Sequence, residues 1–338
     1  MNGKPLVAVV GGGIAGQSAA SVLSAAGALV TVFDKAQGAG GRLATRREGA
    51  CQWDVGAQYF TVRDPVLRAL MVGLAAEGAV APWEARVGTL GPDGFVPETG
   101  HETRYVGTPR MGALVAALGS GATVYGIDVR EVAPRGPVLT LKDRHGEHFG
   151  PYDSVVVATP AGTAVPLLAV APALGNAAAM VETAPCWALM LAFAAPLDPG
   201  FDAATVDPTV AGGALAWIAR DGSKPGRSAQ GGDQWVVHAA PGWSRTHAEA
   251  SPAEVAAELL DAFRAALGTG RGPVVAISHF WPEAQTLQPA GVPHLLDVRQ
   301  AIGACGDWCL GARIEAAFLS GRSLGEAMAA RLGLAQAA

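Results

Sequence analysis

The chain begins its ordered reading at Val7-Ala-Val-Val-Gly-Gly-Gly-Ile-Ala-Gly16, and Val32-Phe-Asp34 follows after a helical stretch. The apolar run 6–10 reads as a buried parallel strand. Gly11 allows the tight turn out of it, Gly13 lets backbone approach a pyrophosphate, and Gly16 lets the next helix pack on the sheet. That helix, predicted from Ile14 to Ala26 with Ile14 and Ala15 in its first turn, aims amides and a positive dipole end at phosphates. A second strand, Leu29 to Phe33, ends in Asp34, an acid placed to accept ribose hydroxyls. A merely Gly-rich turn leaves Asp34 unexplained. Near the other end, Gly306-Asp-Trp-Cys-Leu-Gly311 leads into a further helix. The first motif suits the ADP half of a dinucleotide and the second can close over the other half. The pair predicts FAD bound along its length rather than a freely exchanging NAD.

At 338 residues and 50% hydrophobic content, the chain has material for a large core and about two domains. A net charge of −5 with no basic block argues against nucleic acid as a partner. Four scattered cysteines, Cys51, Cys186, Cys305 and Cys309, make no disulfide framework. The seven histidines (His101, His145, His148, His238, His247, His279, His294) show no metal-ligand spacing, so no metal is expected. Each reads as surface or internally satisfied, with His238 as the exception to test. No leader and no membrane span are expected, which predicts a soluble cytoplasmic protein.

Organisation follows from periodicity and caps. Residues 35–64 are Gly-, Arg- and Gln-containing with weak periodicity. Asp64 and Pro65 open a helix to Gly78. Alternating segments near 84–89 and 94–106 read as strands, 110–118 as a short helix, and 123–132 and 138–142 as hairpin-like strands. Ser154 to Ala158 is a buried strand. Segments 187–193, 214–219, 234–239 and 274–280 suit a second sheet, and 220–233 reads as a polar loop. Ser251-Pro-Ala-Glu254 is a capping box opening a helix to Leu267. A short strand, 301–305, precedes the C-terminal motif, and 313–332 is the last helix. The expectation is an α/β chain: a discontinuous Rossmann-type FAD-binding domain (1–64, 104–160 and 281–335) with an inserted mixed or antiparallel-sheet substrate domain (65–103 and 161–280). Ligands should sit where the two meet.

Several runs carry candidate chemistry. In Gly38-Ala-Gly-Gly41-Arg42, glycines let backbone hug a ligand and Arg42 can contact phosphate; a surface loop with a solvated arginine is the alternative. Trp53-Asp54-Val-Gly56-Ala57-Gln58-Tyr59-Phe60 suits a flat ring, with close backbone, a polar edge and an aromatic wall, although Tyr59 could equally be a core tyrosine. Gly107-Thr-Pro-Arg-Met111 could bring amides to the cofactor or simply start a helix. Gly306 is expected to permit an unusual backbone angle and Asp307 to accept ribityl or ribose hydroxyls. The helix from about Ala312 would aim its positive end at the flavin C2 carbonyl and stabilise the anionic reduced ring. Trp281 and Trp187 are candidates to face a cavity.

These motifs carry a resemblance. Gly-Gly-Arg42 with Thr45, Asp54-Val-Gly-Ala-Gln-Tyr59, Pro185-Cys-Trp-Ala-Leu-Met190, Trp217-Ile-Ala-Arg-Asp221 with Ser223-Lys-Pro-Gly-Arg227, Trp235-Val-Val-His238 and the Gly306 run make the chain similar, nearly end to end, to FAD-dependent oxidoreductases of the amine-oxidase and p-hydroxybenzoate-hydroxylase-fold superfamily. It most resembles the renalase-like branch found in bacteria. The resemblance implies noncovalent FAD, with Lys35, Val129, Arg313 and Ile314 joining the cofactor contacts named above. It also implies oxidation of 2- and 6-dihydro isomers of NAD(P), with oxygen reduced to hydrogen peroxide. Tyr59 and Trp281 would line the substrate cavity, with His238 beside them. Where that branch commonly has a basic residue after the tryptophan, this chain reads His279-Phe-Trp-Pro-Glu283, which bears on the local contacts. A dihydropyridine needs no general base, so alignment would be the main catalytic task. The alternatives are an amine oxidase or dehydrogenase, many of which use a lysine to place a water near flavin N5, and a flavoprotein that binds without turnover. Among Lys4, Lys35, Lys142 and Lys224, none occupies an obvious late-strand position.

Overall fold

The structure is a computed structural model that describes residues 3–100, 102–119 and 121–335. His101 lies outside the described residues. The apolar opening run forms strand Leu6–Val10, flanked in parallel by Leu29–Asp34 and by Ser154–Val157. Among the described residues the sheet has six strands in the order Leu295–Asp297, Ile302–Ala304, Ser154–Val157, Leu6–Val10, Leu29–Asp34, Ala122–Tyr125. The chain leaves the first strand to one side and later returns to the other. The crevice beyond the carboxyl ends of 6–10 and 154–157 is therefore a topological switch point, where doubly wound sheets bind ligands.

A second sheet of seven strands runs in the order Val275–Gln288, Glu182–Phe193, Asp233–Ala239, Leu215–Arg220, Ala203–Val206, Val87–Gly91, Gly94–Pro97. It is antiparallel except where 203–206 runs parallel to 87–91. One face packs on helix Pro252–Leu267, whose Val255, Leu259 and Phe263 recur every fourth residue on one buried stripe. The predicted capping box is present, and Gly268 closes the helix in a left-handed conformation. The other face receives Cys51 and Trp53 of the hairpin Thr45–Glu48/Cys51–Asp54 and Val55 just beyond it, and the Trp53 indole donates to Leu191 O at 2.9 Å. That hairpin, which weak periodicity hid, carries the Asp54–Tyr59 run between the two sheets.

Several elements differ from expectation. The single strand expected over 123–132 is two. Ala122–Tyr125 joins the six-stranded sheet, the chain turns at Gly126 (φ +81°), and Val129–Arg135 starts a separate three-stranded sheet. The segment 94–106 holds Gly94–Pro97 and Tyr105–Gly107, with non-strand chain between. The strand expected to end at Phe280 continues to Gln288, so Trp281 lies in the seven-stranded sheet. Helices Ala161–Leu167 and Pro172–Ala179 pack on the six-stranded sheet against Val155, Val157 and Ile302. No helix among the described residues is long and apolar enough to cross a membrane.

Candidate active site

The first turn is built as its glycines require. Gly11, at φ +105°, donates from its amide to Phe33 O at 2.8 Å, and a Cβ there would meet Ala158 O at 2.7 Å. A Cβ at Gly16 would lie 1.9 Å from Gly11 O, so helix and turn are in van der Waals contact through bare backbone. At Gly13 a Cβ would meet open space, the room a pyrophosphate needs beside helix Ile14–Ala25. Asp34 is buried at its strand end and accepts from Gly12 N and Ala36 N, both at 2.7 Å. Each carboxylate oxygen retains the capacity to accept a further bond, as a ribose hydroxyl would require. Lys35 is exposed beyond it, and Val129 is buried at the start of its strand, in the core cluster with Phe33.

The two motifs from opposite ends meet. Arg42 and Asp307, read separately as phosphate and hydroxyl contacts, form a bidentate ion pair with each other, one arm at 3.1 Å. Thr286 Oγ1 adds a bond to Asp307 at 2.9 Å, and Arg42 reaches Ala284 O at 3.3 Å. Gly306 does not have an unusual backbone angle. Its φ of 164° is extended, and glycine is needed there because a Cβ would strike the Trp308 ring at 2.5 Å. The last helix starts at Ile314 rather than near Ala312, with Arg313 as N-cap and no side chain capping it. It is pinned to the first helix, since a Cβ on Gly321 would fall 2.0 Å from Ala15 O. The Thr159 hydroxyl, at the switch point, is buried without a partner. Open room at Gly13, a free helix start at Ile314 and this orphaned hydroxyl all fit an extended FAD.

The run after Trp53 is clamped from both sides. A Cβ on Gly56 would collide with Arg42 O at 1.9 Å, and Ala57 N donates to that same carbonyl at 3.0 Å. Gln58 is buried and its amide folds back on Asp54 O and Gly56 O, so it closes the loop instead of presenting a polar edge to a ring. His238 Nε2 and Trp281 Nε1 both reach Val55 O at 3.3 Å. The three residues named for the cavity thus divide. His238 and Trp281 converge on one backbone carbonyl, while Tyr59 packs 5.7 Å from Trp217 and 6.2 Å from Trp83. Tyr59 lines a cavity of about 690 Å³ with Ala57, Arg104, Arg313 and Ile314. Trp187 instead lies in the core, donating to His247 O at 2.9 Å.

The polar-loop reading of 220–233 missed a buried ionic cluster. Lys224 is 2% exposed and its ammonium meets Asp221 at 2.6 Å, Gln58 Oε1 at 2.9 Å and Asp54 at 3.3 Å. Arg227 pairs with the same Asp54. Asp54 also accepts from Met111 N at 3.0 Å, so that amide of the 107–111 run serves the cluster rather than a cofactor. Desolvation alone would raise the Asp54 carboxyl, but Lys224 and Arg227 overcome it and hold it below the usual range. Desolvation pushes Asp221 the other way, with Asp54 adding to the effect. The available signal was the close i, i+3, i+6 spacing of Asp221, Lys224 and Arg227 around Pro-Gly, but such charges are usually solvated.

Burial raises the Cys186 thiol to about 12 and Cys309 to about 11, and raises Cys305 well above its ordinary value, so none is a thiolate at neutral pH. Glu283, whose position after Trp281 bears on the cavity, turns away from it. Pro282 and Glu283 fall in an irregularity of register between Trp281 and Gln285, and the Glu283 carboxylate accepts from Gly162 N at 2.6 Å and Thr163 Oγ1 at 3.0 Å. Proline is tolerated at such a bulge. Desolvation lowers His238 to about 4, with Lys224 contributing, so its imidazole is neutral at physiological pH. With a folded value below the unfolded value near 6.5, the unfolded chain binds more protons between those limits, and stability rises with pH there. Wild type is therefore expected to lose roughly 2–3 kcal/mol as pH falls from 6.5 to 4. A His238→Gln variant should lack that part of the loss in urea titrations at the two pH values. An identical pH dependence in the variant would show that His238 does not carry the effect.

Residues 9–74 match the model of an NAD(P)-binding Rossmann-like domain, and residues 88–327 match that of flavin containing amine oxidoreductases. Similar solved structures include a putative protoporphyrinogen oxidase from Exiguobacterium sp. 255-15, at 14% identity and TM-score 0.76, over 98% of this chain and 99% of that one. Cyclohexylamine oxidase from Brevibacterium oxydans IH-35A is similar at 13% identity and TM-score 0.74, over 98% and 100%. A putrescine oxidase solved with putrescine matches at 13% identity and TM-score 0.68, over 97% and 99%. At these identities the structures speak for the fold. The second family match spans well over half the sequence, and it places the chain in the flavin containing amine oxidoreductase family, as an FAD-dependent oxidoreductase.

Proposed function

We propose that the protein is an oxidase for misreduced nicotinamide dinucleotides, returning the 2- and 6-dihydro isomers to NAD(P)+ while oxygen becomes hydrogen peroxide. Bound noncovalently, FAD supplies the two-electron acceptor. The observation that carries this reading over an amine oxidase is the state of Lys224. It is the one buried lysine among the described residues, and its three N–H donors are directed at Asp54, Gln58 and Asp221. No donor is left to hold a water on the cavity side. A dihydropyridine has no such need, because it carries its hydride ready for transfer.

The chain's own work is alignment and exclusion of water. Tyr59, Trp83 and Trp217 form a packed aromatic wall, and Arg42 O and the Gln58 amide fix the backbone behind it. The helix start at Ile314, which lines the same cavity as Tyr59, offers positive partial charge. We extend the proposal to the domain division: 1–64, 104–160 and 281–335 hold the cofactor, and 65–103 and 161–280 shape the substrate side. Two borders are adjusted, because helices 161–179 pack on the six-stranded sheet and 281–288 belong to the seven-stranded one.

Anaerobic stopped-flow with 2- and 6-dihydro-NAD(P), following the visible flavin band, tests the reading. Rapid bleaching that oxygen reverses is expected. No bleaching with either isomer would sink it and turn attention to amines, the substrates named for two of the similar structures, or to binding without turnover.

A further inference from the structure

We infer that Arg104 is the anion-selecting residue of the cavity, so that the enzyme favours electron donors carrying a phosphate or carboxylate over neutral or cationic ones. The inference deepens the proposed function and rests on the cavity beside Tyr59 being the substrate site. Arg104 is 6% exposed and its backbone is fixed in the wall, where Arg104 O accepts from Trp83 N at 2.7 Å. Its guanidinium carbon stands 5.1 Å from the Tyr59 ring centroid, in cation–π contact. One terminal nitrogen meets Glu98 at 2.5 Å, while Nε is buried with no hydrogen-bond partner.

A buried guanidinium with an unsatisfied donor is costly unless a ligand or a strong acceptor compensates it. Its forked donors match phosphate and carboxylate oxygens, and charge-assisted bonds are about twice as strong as neutral ones. The cavity's carboxylates do not offset this for a cation. Glu98 and Glu102 are the more exposed, with side chains 44% and 45% exposed, and both are already paired, Glu98 with one end of Arg104 itself and Glu102 with Arg63. The charge deepest in the wall is positive and lies against the aromatic residue placed to face the donor. An ammonium group arriving there would meet a guanidinium.

The test uses FAD-loaded enzyme titrated with nicotinate and with its neutral isostere nicotinamide, read by perturbation of the visible flavin band. Wild type should bind nicotinate about tenfold or more tightly, the effect of one charge-assisted bond. The gap should fall below about threefold in R104Q and persist in part in R104K, which keeps a point charge without the fork. E98Q removes the competing carboxylate at the rim and should tighten nicotinate but not nicotinamide. Equal binding of the two probes by wild type, or an intact gap in R104Q, overturns the inference. If R104Q does not hold flavin, E98Q decides, and unchanged nicotinate affinity counts against it.

Anaerobic reduction by 6-dihydronicotinamide as dinucleotide, mononucleotide and riboside, and by 6-dihydronicotinate riboside, then identifies the source of the anion. An R104Q loss confined to the phosphate-bearing donors assigns it to phosphate, and preference for the dihydronicotinate riboside assigns it to carboxylate. Bleaching by none of these, with nicotinate selectivity intact, removes the dihydronicotinamide reading and leaves the anion site standing.

Discussion

Replacing Lys224 by methionine should destabilise the protein by about 3–5 kcal/mol, the usual effect of removing one partner from a buried ion pair. The methionine fills much of the same volume, so the loss is electrostatic rather than a cavity. Asp54 and Asp221 would remain beside each other with Arg227 as the one cation left among the described residues of the cluster, and Gln58 would lose the donor at 2.9 Å that fixes its carbonyl. Urea unfolding of the flavin-free protein isolates this effect from cofactor binding, which otherwise adds its own stabilisation. A change below about 1 kcal/mol, the level of an exposed pair, would mean that water enters the cluster.

The second large effect is expected at Gly321. A methyl group there would lie 2.0 Å from Ala15 O, 2.8 Å from Ala15 C and 2.9 Å from Ala15 Cα. All three are backbone atoms, so no side chain can move aside. Gly321→Ala must separate helix Ile314–Arg331 from helix Ile14–Ala25, whose first turns are the ones proposed to face the two halves of the cofactor. Overpacking of this kind costs roughly 1–3 kcal/mol or more. The larger consequence is geometric: two helix starts that no longer fit one bound ligand should bind FAD at least about tenfold more weakly, since each 1.4 kcal/mol of lost fit is a factor of ten. Fluorescence titration of the flavin-free variant with FAD measures this. Wild-type affinity would show that the helices part without disturbing the site.

The sequence made the first βαβ unit and its glycines legible because strand, turn, helix and acid each impose a separate local requirement, and all four agree. The capping box at Ser251 and the stripe of Val255, Leu259 and Phe263 were legible for the same reason. Pairing between distant charges was not. Nothing local to Arg42 indicates that Asp307 will meet it, and nothing local to Lys224 indicates Asp54 or Gln58, since each partner lies in another element. The break between Ala122–Tyr125 and Val129–Arg135 was hidden because both pieces have strand character and only the sheet each joins separates them. Gly306 was misread for a related reason: its need is space beside Trp308, which backbone angles do not express. Arg104 was passed over because an arginine in a short alternating segment is ordinarily solvated.

The meeting of the Gly-Gly-Arg42 loop with the Gly306-Asp307 turn brings together segments from opposite ends of the sequence. A cofactor spanning both behaves as a reversible staple across almost the whole polypeptide. Unlike a covalent cross-link, its grip depends on how much free flavin surrounds the protein, because binding to the folded form stabilises by mass action. Cofactor supply therefore bears on how much of this enzyme persists folded as well as on how much of it can turn over.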